Sequence, residues 1–137
     1  MNGLFSSSIF KVLEKSIEGS TLRHQVLSNN IANIDTPGFK RSDVQFKSLL
    51  KQSLSNKGIK GNLTNPRHIP IGRKGLNDLY PKVYRDNSTT MRLDGNNVDI
   101  ELEGAEMAKN TIYHSAMVQQ LIKKFNTLQT VISEGRR

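Results

Sequence analysis

Apolar residues recur three and four positions apart near both ends of the chain. In the first such stretch, about residues 4–34, the stripe comprises Phe5, Ile9, Val12, Leu13, Ile17, Leu22, Val26, Leu27 and Ile31. This spacing places side chains on one face of an α-helix. The pattern predicts an N-terminal helix within residues 1–34, with a bend or a change of phase at the five-residue step beside Gly19.

The last third of the chain has a more regular pattern. Its apolar residues alternate steps of three and four, as in the a/d seam of a coiled coil. The seam comprises Val118, Leu121, Phe125, Leu128 and Ile132. Acidic residues precede it and basic residues follow it, which suits the dipole of a helix. No proline interrupts residues 96–137, so the pattern predicts one long helix over residues 98–134.

The middle of the chain, residues 35–97, is rich in glycine and proline, most densely between residues 58 and 75. Such punctuation prevents a regular element from propagating. Short apolar pieces at 69–71, 83–84 and 91–93 predict brief β-strands, and Asp94-Gly95-Asn96 predicts a turn. The expected fold is therefore mainly α, with an irregular middle that contains short strands, in a single elongated domain over residues 1–137.

The length of the last helix determines how the two ends must pack. A helix of about 35 residues is roughly 50 Å long, whereas a compact globule of this chain length is roughly 37 Å across. We expect the terminal helices to pair antiparallel, like a coiled coil, and the remaining apolar surface to contact other chains. The residues predicted to hold this pairing and assembly are Ile9, Val12, Leu13, Val26, Leu27, Val118, Leu121, Phe125, Leu128 and Ile132.

Composition limits the kinds of chemical site and membrane segment that the chain can contain. The absence of cysteine excludes disulfides, thiolate metal sites and cysteine nucleophiles. No apolar run approaches the roughly 20 residues of a membrane helix, and the N-terminus lacks the features of a cleaved signal. We expect a chain that stays in the cytoplasm or leaves it by a route that reads no cleaved signal.

No catalytic, cofactor or metal site is expected. His24, His68 and His114 lack the spacing of a metal-binding pair. The acidic residues at the start of the last helix are typical of a first helical turn; they are Asp99, Glu101, Glu103 and Glu106. The net charge of +8 comes mostly from the middle, where the basic residues are interleaved with Gly, Pro and Asn. That arrangement disfavours nucleic-acid binding. A basic nucleic-acid-binding protein and a coiled-coil adaptor forming a small soluble oligomer remain alternatives.

Residues 28–40 describe a helix end followed by a turn, in which Pro37 and Gly38 suit the centre of a type II turn. The run from Asn29 to Phe39 also resembles the signature of bacterial flagellar rod and hook proteins. The motif residues are Asn29, Asn30, Ala32, Asn33, Thr36, Pro37, Gly38 and Phe39. Two further segments, Thr64–Ile69 and Leu93–Glu101, resemble the proximal rod members of that family.

The resemblance implies a non-catalytic structural subunit, without cofactors, that leaves the cell through the flagellar type III export apparatus and joins a helical tube. It implies a location in the rod of the basal body, in the periplasm, after synthesis in the cytoplasm. The implied partners are the chain itself, other rod proteins, the rod-to-membrane-ring adapter and the export gate, without nucleic acid or membrane insertion. Phe46 and Leu50 fit the family's loose export-gate pattern, as do Phe5 and Ile9, although an ordinary helix face fits equally well.

Overall fold

The computed structural model describes residues 8–55, 76, 79–88 and 90–135 of the 137-residue chain. Two long helices enclose a smaller middle, as the sequence predicts. The elements in chain order are α1 (Ser8–Ala32), β1 (Ser42–Gln45), α2 (Lys47–Ser55), β2 (Lys82–Arg85) and α3 (Ile100–Glu134). The fold is therefore mainly α with a short β-sheet, and the expected fold class is confirmed.

The middle differs from the prediction in detail. The strand predicted at 83–84 lies within β2, whereas the strand predicted at 91–93 is wrong, because those residues enter a turn. The strand predicted at 69–71 lies outside the described residues. Neither β1 nor α2 was predicted.

Helices α1 and α3 pack antiparallel. The rings of Phe10 and Phe125 have centroids 5.3 Å apart, and further along the pair Asn110 donates to the backbone carbonyl of Ser20. At 1.5 Å per residue α3 is about 52 Å long and α1 about 37 Å. The last two turns of α3 therefore extend beyond Ser8, the first described residue of α1. None of the described helices is both long and apolar enough to cross a membrane.

The apolar core lies on a second face of α1, against the middle of the chain. Its buried members are Val44, Phe46, Leu50 and Leu79. Helix α1 continues through Gly19, where the sequence suggested a bend or a change of phase. The ring of Phe46 occupies the space that a side chain at residue 19 would take. A Cβ on Gly19 would lie 2.6 Å from the Phe46 ring. The five-residue step in the apolar pattern therefore marks a packing contact.

The start of α3 is fixed by its cap. The side chain of Asp99 accepts hydrogen bonds from the backbone amides of Glu101 and Leu102, two donors that the first turn leaves without intrahelical partners. Further along α3, the only buried side chains among the described residues are Glu103 and Asn110, and both are polar. The long helix therefore hides no apolar side chain completely within the described chain.

We predict opposite effects for alanine at two helical glycines. Gly19→Ala should lower the free energy of unfolding by about 1–3 kcal/mol, because Phe46 must move. Gly104→Ala in α3 has open space around its Cβ and should raise stability by up to about 1 kcal/mol through helix propensity. Urea unfolding of both variants checks this, and a stabilised Gly19→Ala protein would contradict the close contact.

Candidate functional site

Two turns pack against each other where α1 ends and α3 begins. In the first, the amide of Phe39 donates to the carbonyl of Thr36 and Gly38 has a φ of +71°, the geometry of a type II turn. In the second, the amide of Gly95 donates to the carbonyl of Arg92, and Gly95 has a φ of +83°. The amide of Gly38 donates to the carbonyl of Asp94 at 2.9 Å, which joins the turns. We call residues 29–41 and 92–103 together the motif junction.

Asn96 holds the end of α1 in place. Its side-chain amide nitrogen lies 3.1, 2.8 and 3.0 Å from the backbone carbonyl oxygens of Asn33, Ile34 and Thr36. Its side-chain oxygen accepts from the amide of Val98 at 2.7 Å. Asn96 is fully buried. These carbonyls lie at and beyond the C-terminus of the helix, where partners within the helix run out.

Two other asparagines act as substitute peptide groups for the sheet. Asn30 accepts from the amide of Ser42 at 3.0 Å and donates to its carbonyl at 2.8 Å, so it occupies the place of a neighbouring strand. Asn97 accepts from the amide of Arg41 and donates to the carbonyl of Asp86, which bridges the two chain segments at one end of the sheet. Both asparagines are buried, and these hydrogen bonds replace the bonds to water that their side chains lose.

A buried ion pair links the same region to α3. Glu103 is fully buried, and one carboxylate oxygen accepts from Asn30 at 2.9 Å. Its other oxygen lies 2.9 Å from a terminal guanidinium nitrogen of Arg41. Glu103 thus contacts both α1 and the segment leading into β1. Removing either partner would leave a buried charge uncompensated, which is costly.

A second cluster, one turn further along α3, centres on Arg23. Its guanidinium contacts the carboxylate of Asp43 at 3.0 Å and that of Glu106 at 3.2 Å. Burial disfavours the charged form of Arg23 and by itself lowers its pKa. The hydrogen bond and negative charge of Asp43, and then the charge of Glu106, outweigh burial, so the pKa of Arg23 is raised. The hydrogen bond from Lys109, with the charge of Arg23, lowers the pKa of Glu106 despite partial burial. The cluster ties α1, β1 and α3 together.

The geometry suits connection rather than catalysis. His24 and His114 line the same open cleft between α1 and α3, of about 230 Å³. In the part of the chain that the structure describes, no three histidine or acidic side chains converge on a possible metal position. The polar side chains of the motif junction bond one another and the backbone.

The structure separates the motif residues of the sequence into two groups. Asn30, Asn33, Thr36 and Gly38 provide side-chain or backbone groups to the motif junction. In the second group, Asn29, Ala32 and Pro37 are exposed; Thr36 and Gly38 are exposed too, but their backbone groups bond across the junction. Phe39 is half-buried beneath the guanidinium of Arg85, 5.9 Å from its ring centre.

The residues predicted for helix pairing are also unequal. Leu13 and Leu27 are buried, whereas Phe125 is 45% and Ile132 62% exposed. Exposure is partial for Val12, Val26, Val118, Leu121 and Leu128, and Ile9 is exposed. The seam is therefore only partly covered within one chain.

The candidate export-gate residues Phe46 and Leu50 are both buried in the core cluster. Of the second candidate pair, Phe5 lies outside the described residues. A gate could reach the Phe46 and Leu50 side chains only in an unfolded or locally opened chain.

Comparison with known proteins agrees with this connecting role. The profile of the family described as "Flagella basal body rod protein" matches residues 22–40, which cover the end of α1 and the first turn. The flagellar basal body rod protein FlgB of Bacillus subtilis is 35% identical, over 97% of this chain and 98% of the relative. The chain belongs to the FlgB family of flagellar basal body rod proteins.

Other FlgB proteins give the same result. That of Proteus mirabilis HI4320 is 31% identical, over 92% of this chain and 94% of its own length. That of Borreliella burgdorferi is 36% identical over 82% and 86%. As a FlgB-family member the chain has a structural role in the basal body, associates with other rod components and is not an enzyme. Membership favours this role over the adaptor and nucleic-acid alternatives.

Sequence reasoning missed several residues of the motif junction. Glu103 was interpreted only as one of the acidic residues at the start of the helix. It does lie in the first turn of α3, but it is also buried against Arg41, which the sequence did not indicate. Asn96 was predicted as part of a turn, and Asn97 was identified only as part of the Leu93–Glu101 segment. Two adjacent asparagines directly before a capped helix were the available signal, because such side chains bond nearby backbone groups.

Two neighbouring asparagines provide a matched test of the motif junction. Asn30→Ala should lower the free energy of unfolding by about 2–4 kcal/mol, because it leaves one carboxylate oxygen of Glu103 and both backbone groups of Ser42 without partners. Asn29→Ala, exposed in the same helix turn, should change it by no more than about 0.5 kcal/mol. Equal effects in urea unfolding would contradict the assigned contacts.

Acid should weaken the Arg23 cluster. Since the folded pKa of Glu106 lies below its ordinary value of 4.5, its stabilisation is complete above that value and disappears as pH falls through the folded pKa. Glu106→Gln should therefore be less stable than wild type at neutral pH, by about 1 kcal/mol or less, and the difference should shrink as the pH is lowered into the acid range below 4.5. Urea unfolding at neutral and at acid pH tests this. A difference that does not shrink in acid would indicate that the carboxylate charge is not responsible.

Proposed function

We propose that this chain is a structural subunit of the proximal rod, located in the periplasm and assembled into a helical tube with copies of itself and other rod proteins. The observation that carries the proposal is the incomplete burial of the seam. Phe125 and Ile132 keep about half or more of their surface exposed, and α3 buries only polar side chains among its described residues. A soluble protein that functions as a monomer rarely exposes such a row of apolar side chains.

The geometry of the seam favours contacts that continue from subunit to subunit. Ile132, in the last turn of the seam, is 62% exposed, so it can contact a neighbouring chain. A contact between two different faces repeats indefinitely, whereas a two-fold contact closes after two copies. We infer heterologous contacts, with the whole chain acting as one elongated axial domain. The rod-to-membrane-ring adapter is a further proposed neighbour.

We propose that the chain reaches the rod through the flagellar type III apparatus in an unfolded form. Burial of Phe46 and Leu50 supports the unfolded form, since a gate that reads them must act before the core closes. The absence of cysteine removes one obstacle to threading, because no disulfide can form within the chain. The polar contacts between α1 and α3 also separate more readily than an apolar interface, since water can replace each partner.

Two adjacent apolar residues near the end of α3 test the proposal. Ile132 lies on the seam and is 62% exposed, while Val131 is 63% exposed and lies about a quarter turn away. Ile132→Asp should abolish rod incorporation and motility, yet leave the unfolding midpoint of the free chain and the amount of exported chain unchanged. Val131→Asp should assemble normally.

The measurements are swimming in a strain that lacks its own copy, immunodetection in purified basal bodies, and detection of chain outside the cytoplasm. Normal rods with Ile132→Asp, or equal loss with both variants, would refute the seam as the assembly surface. Wild-type chain that never leaves the cytoplasm in an export-competent cell would refute the export proposal.

A further inference from the structure

The two edges of the small sheet differ. Strands β1 and β2 pair antiparallel, with Val44 opposite Val83 and Ser42 opposite Arg85. The edge of β1 that faces away from β2 is covered, since the carboxamide of Asn30 bonds both backbone groups of Ser42. Helix α1 therefore protects this edge from further pairing.

Among the described residues no strand lies beside the outer edge of β2. The amide of Asp86 donates to the carbonyl of Arg41. Hydrogen-bonded and non-bonded residue pairs alternate along an antiparallel ladder, so this pair and every second pair after it are the hydrogen-bonded ones. It follows that the amides and carbonyls of Val83 and Arg85 point away from β1. Within the described residues no backbone hydrogen bond reaches either of them. All four β2 side chains are exposed.

The side chains of β2 define what could pair there. Val83 and Tyr84, at its centre, are 51% and 44% exposed, and Lys82 and Arg85 flank them. The acidic side chains of Asp43 and Asp86 have other partners: Asp43 binds Arg23, and Asp86 accepts from the amide and hydroxyl of Ser88. The guanidinium of Arg85 lies over the ring of Phe39. The edge thus presents an apolar centre between two positive charges.

We propose that this β2 edge is a docking site for an extended segment of another basal-body protein, with an apolar centre and acidic residues at both ends. The segment would add a third strand and bond the backbone of Val83 and Arg85, as in strand addition to an open sheet edge. A second copy of β2 fits less well, because it brings four like charges into one short ribbon and closes as a two-fold pair. The proposal rests on the rod role given above.

Val83→Pro removes only the outward amide, and edge strands tolerate proline there. Val83→Thr keeps the amide and the branched shape, and serves as its control. Both variants should unfold within about 5 °C of wild type. In cells, incorporation of Val83→Pro into basal bodies should fall at least about tenfold below that of Val83→Thr, since its strand cannot complete the ladder.

Charge is tested separately. The double variant Lys82→Glu with Arg85→Glu should lose incorporation to a similar degree, whereas Lys82→Arg with Arg85→Lys should retain it. Normal incorporation of the charge-reversed variant would overturn the acidic partner. Sedimentation showing that free wild-type chain dimerises, and that Val83→Pro does not, would assign the edge to a second copy and also overturn the proposal.

Hydrogen exchange on the wild-type protein tests the same proposal even if the proline variant fails to fold. In wild-type protein the amides of Val83 and Arg85 should exchange at least about tenfold more slowly in purified basal bodies than in the free chain. Unchanged exchange there, or Val83→Pro incorporating as well as Val83→Thr, would refute strand addition. Either result leaves the rod role intact if Ile132→Asp still fails to incorporate, so the two proposals fail separately.

Discussion

The buried contact between Asn30 and Glu103 determines how the rest of the structure fits together. Through it α1, α3 and the first strand share one fixed register, because Asn30 also bonds both backbone groups of Ser42 and Glu103 also pairs with Arg41. Hydrogen bonds are directional, and a shift of α3 by one residue would leave a buried carboxylate without partners. Apolar side chains alone would permit several registers at similar free energy.

Polar and apolar contacts occupy different parts of the helix pair. On α3 the buried positions are polar and lie toward the motif junction, at Glu103 and Asn110, while the far end offers the rings of Phe10 and Phe125 and a half-exposed seam. The polar half specifies how the two helices meet, and the apolar half retains surface that burial would stabilise. This separation suits a subunit that must be correctly folded alone and still gain free energy from its neighbours.

The parts of the fold that follow from periodicity were predictable from the sequence. Spacing alone located both long helices and the seam, and Pro37-Gly38 located the first turn. Strand β1 carries Ser42, Asp43 and Gln45 around a single Val44, so no apolar alternation marks it. Its strand state depends on Asn30 and β2, both remote in sequence. The burial of Glu103 could not be predicted for the same reason. A run of acidic residues at a helix start explains Glu103 equally well until the fold places Arg41 beside it.

The α3 seam and the β2 edge, both exposed among the described residues, differ in kind. The apolar seam of α3 is attractive to many apolar partners and sets no strict alignment, since hydrophobic contact is non-directional. The β2 edge can align a partner to within one residue, because its backbone groups accept only an extended chain in register. A subunit that binds through both can obtain affinity from the first and orientation from the second. The same division already operates inside the chain, where apolar burial stabilises the core and side-chain amides set the register.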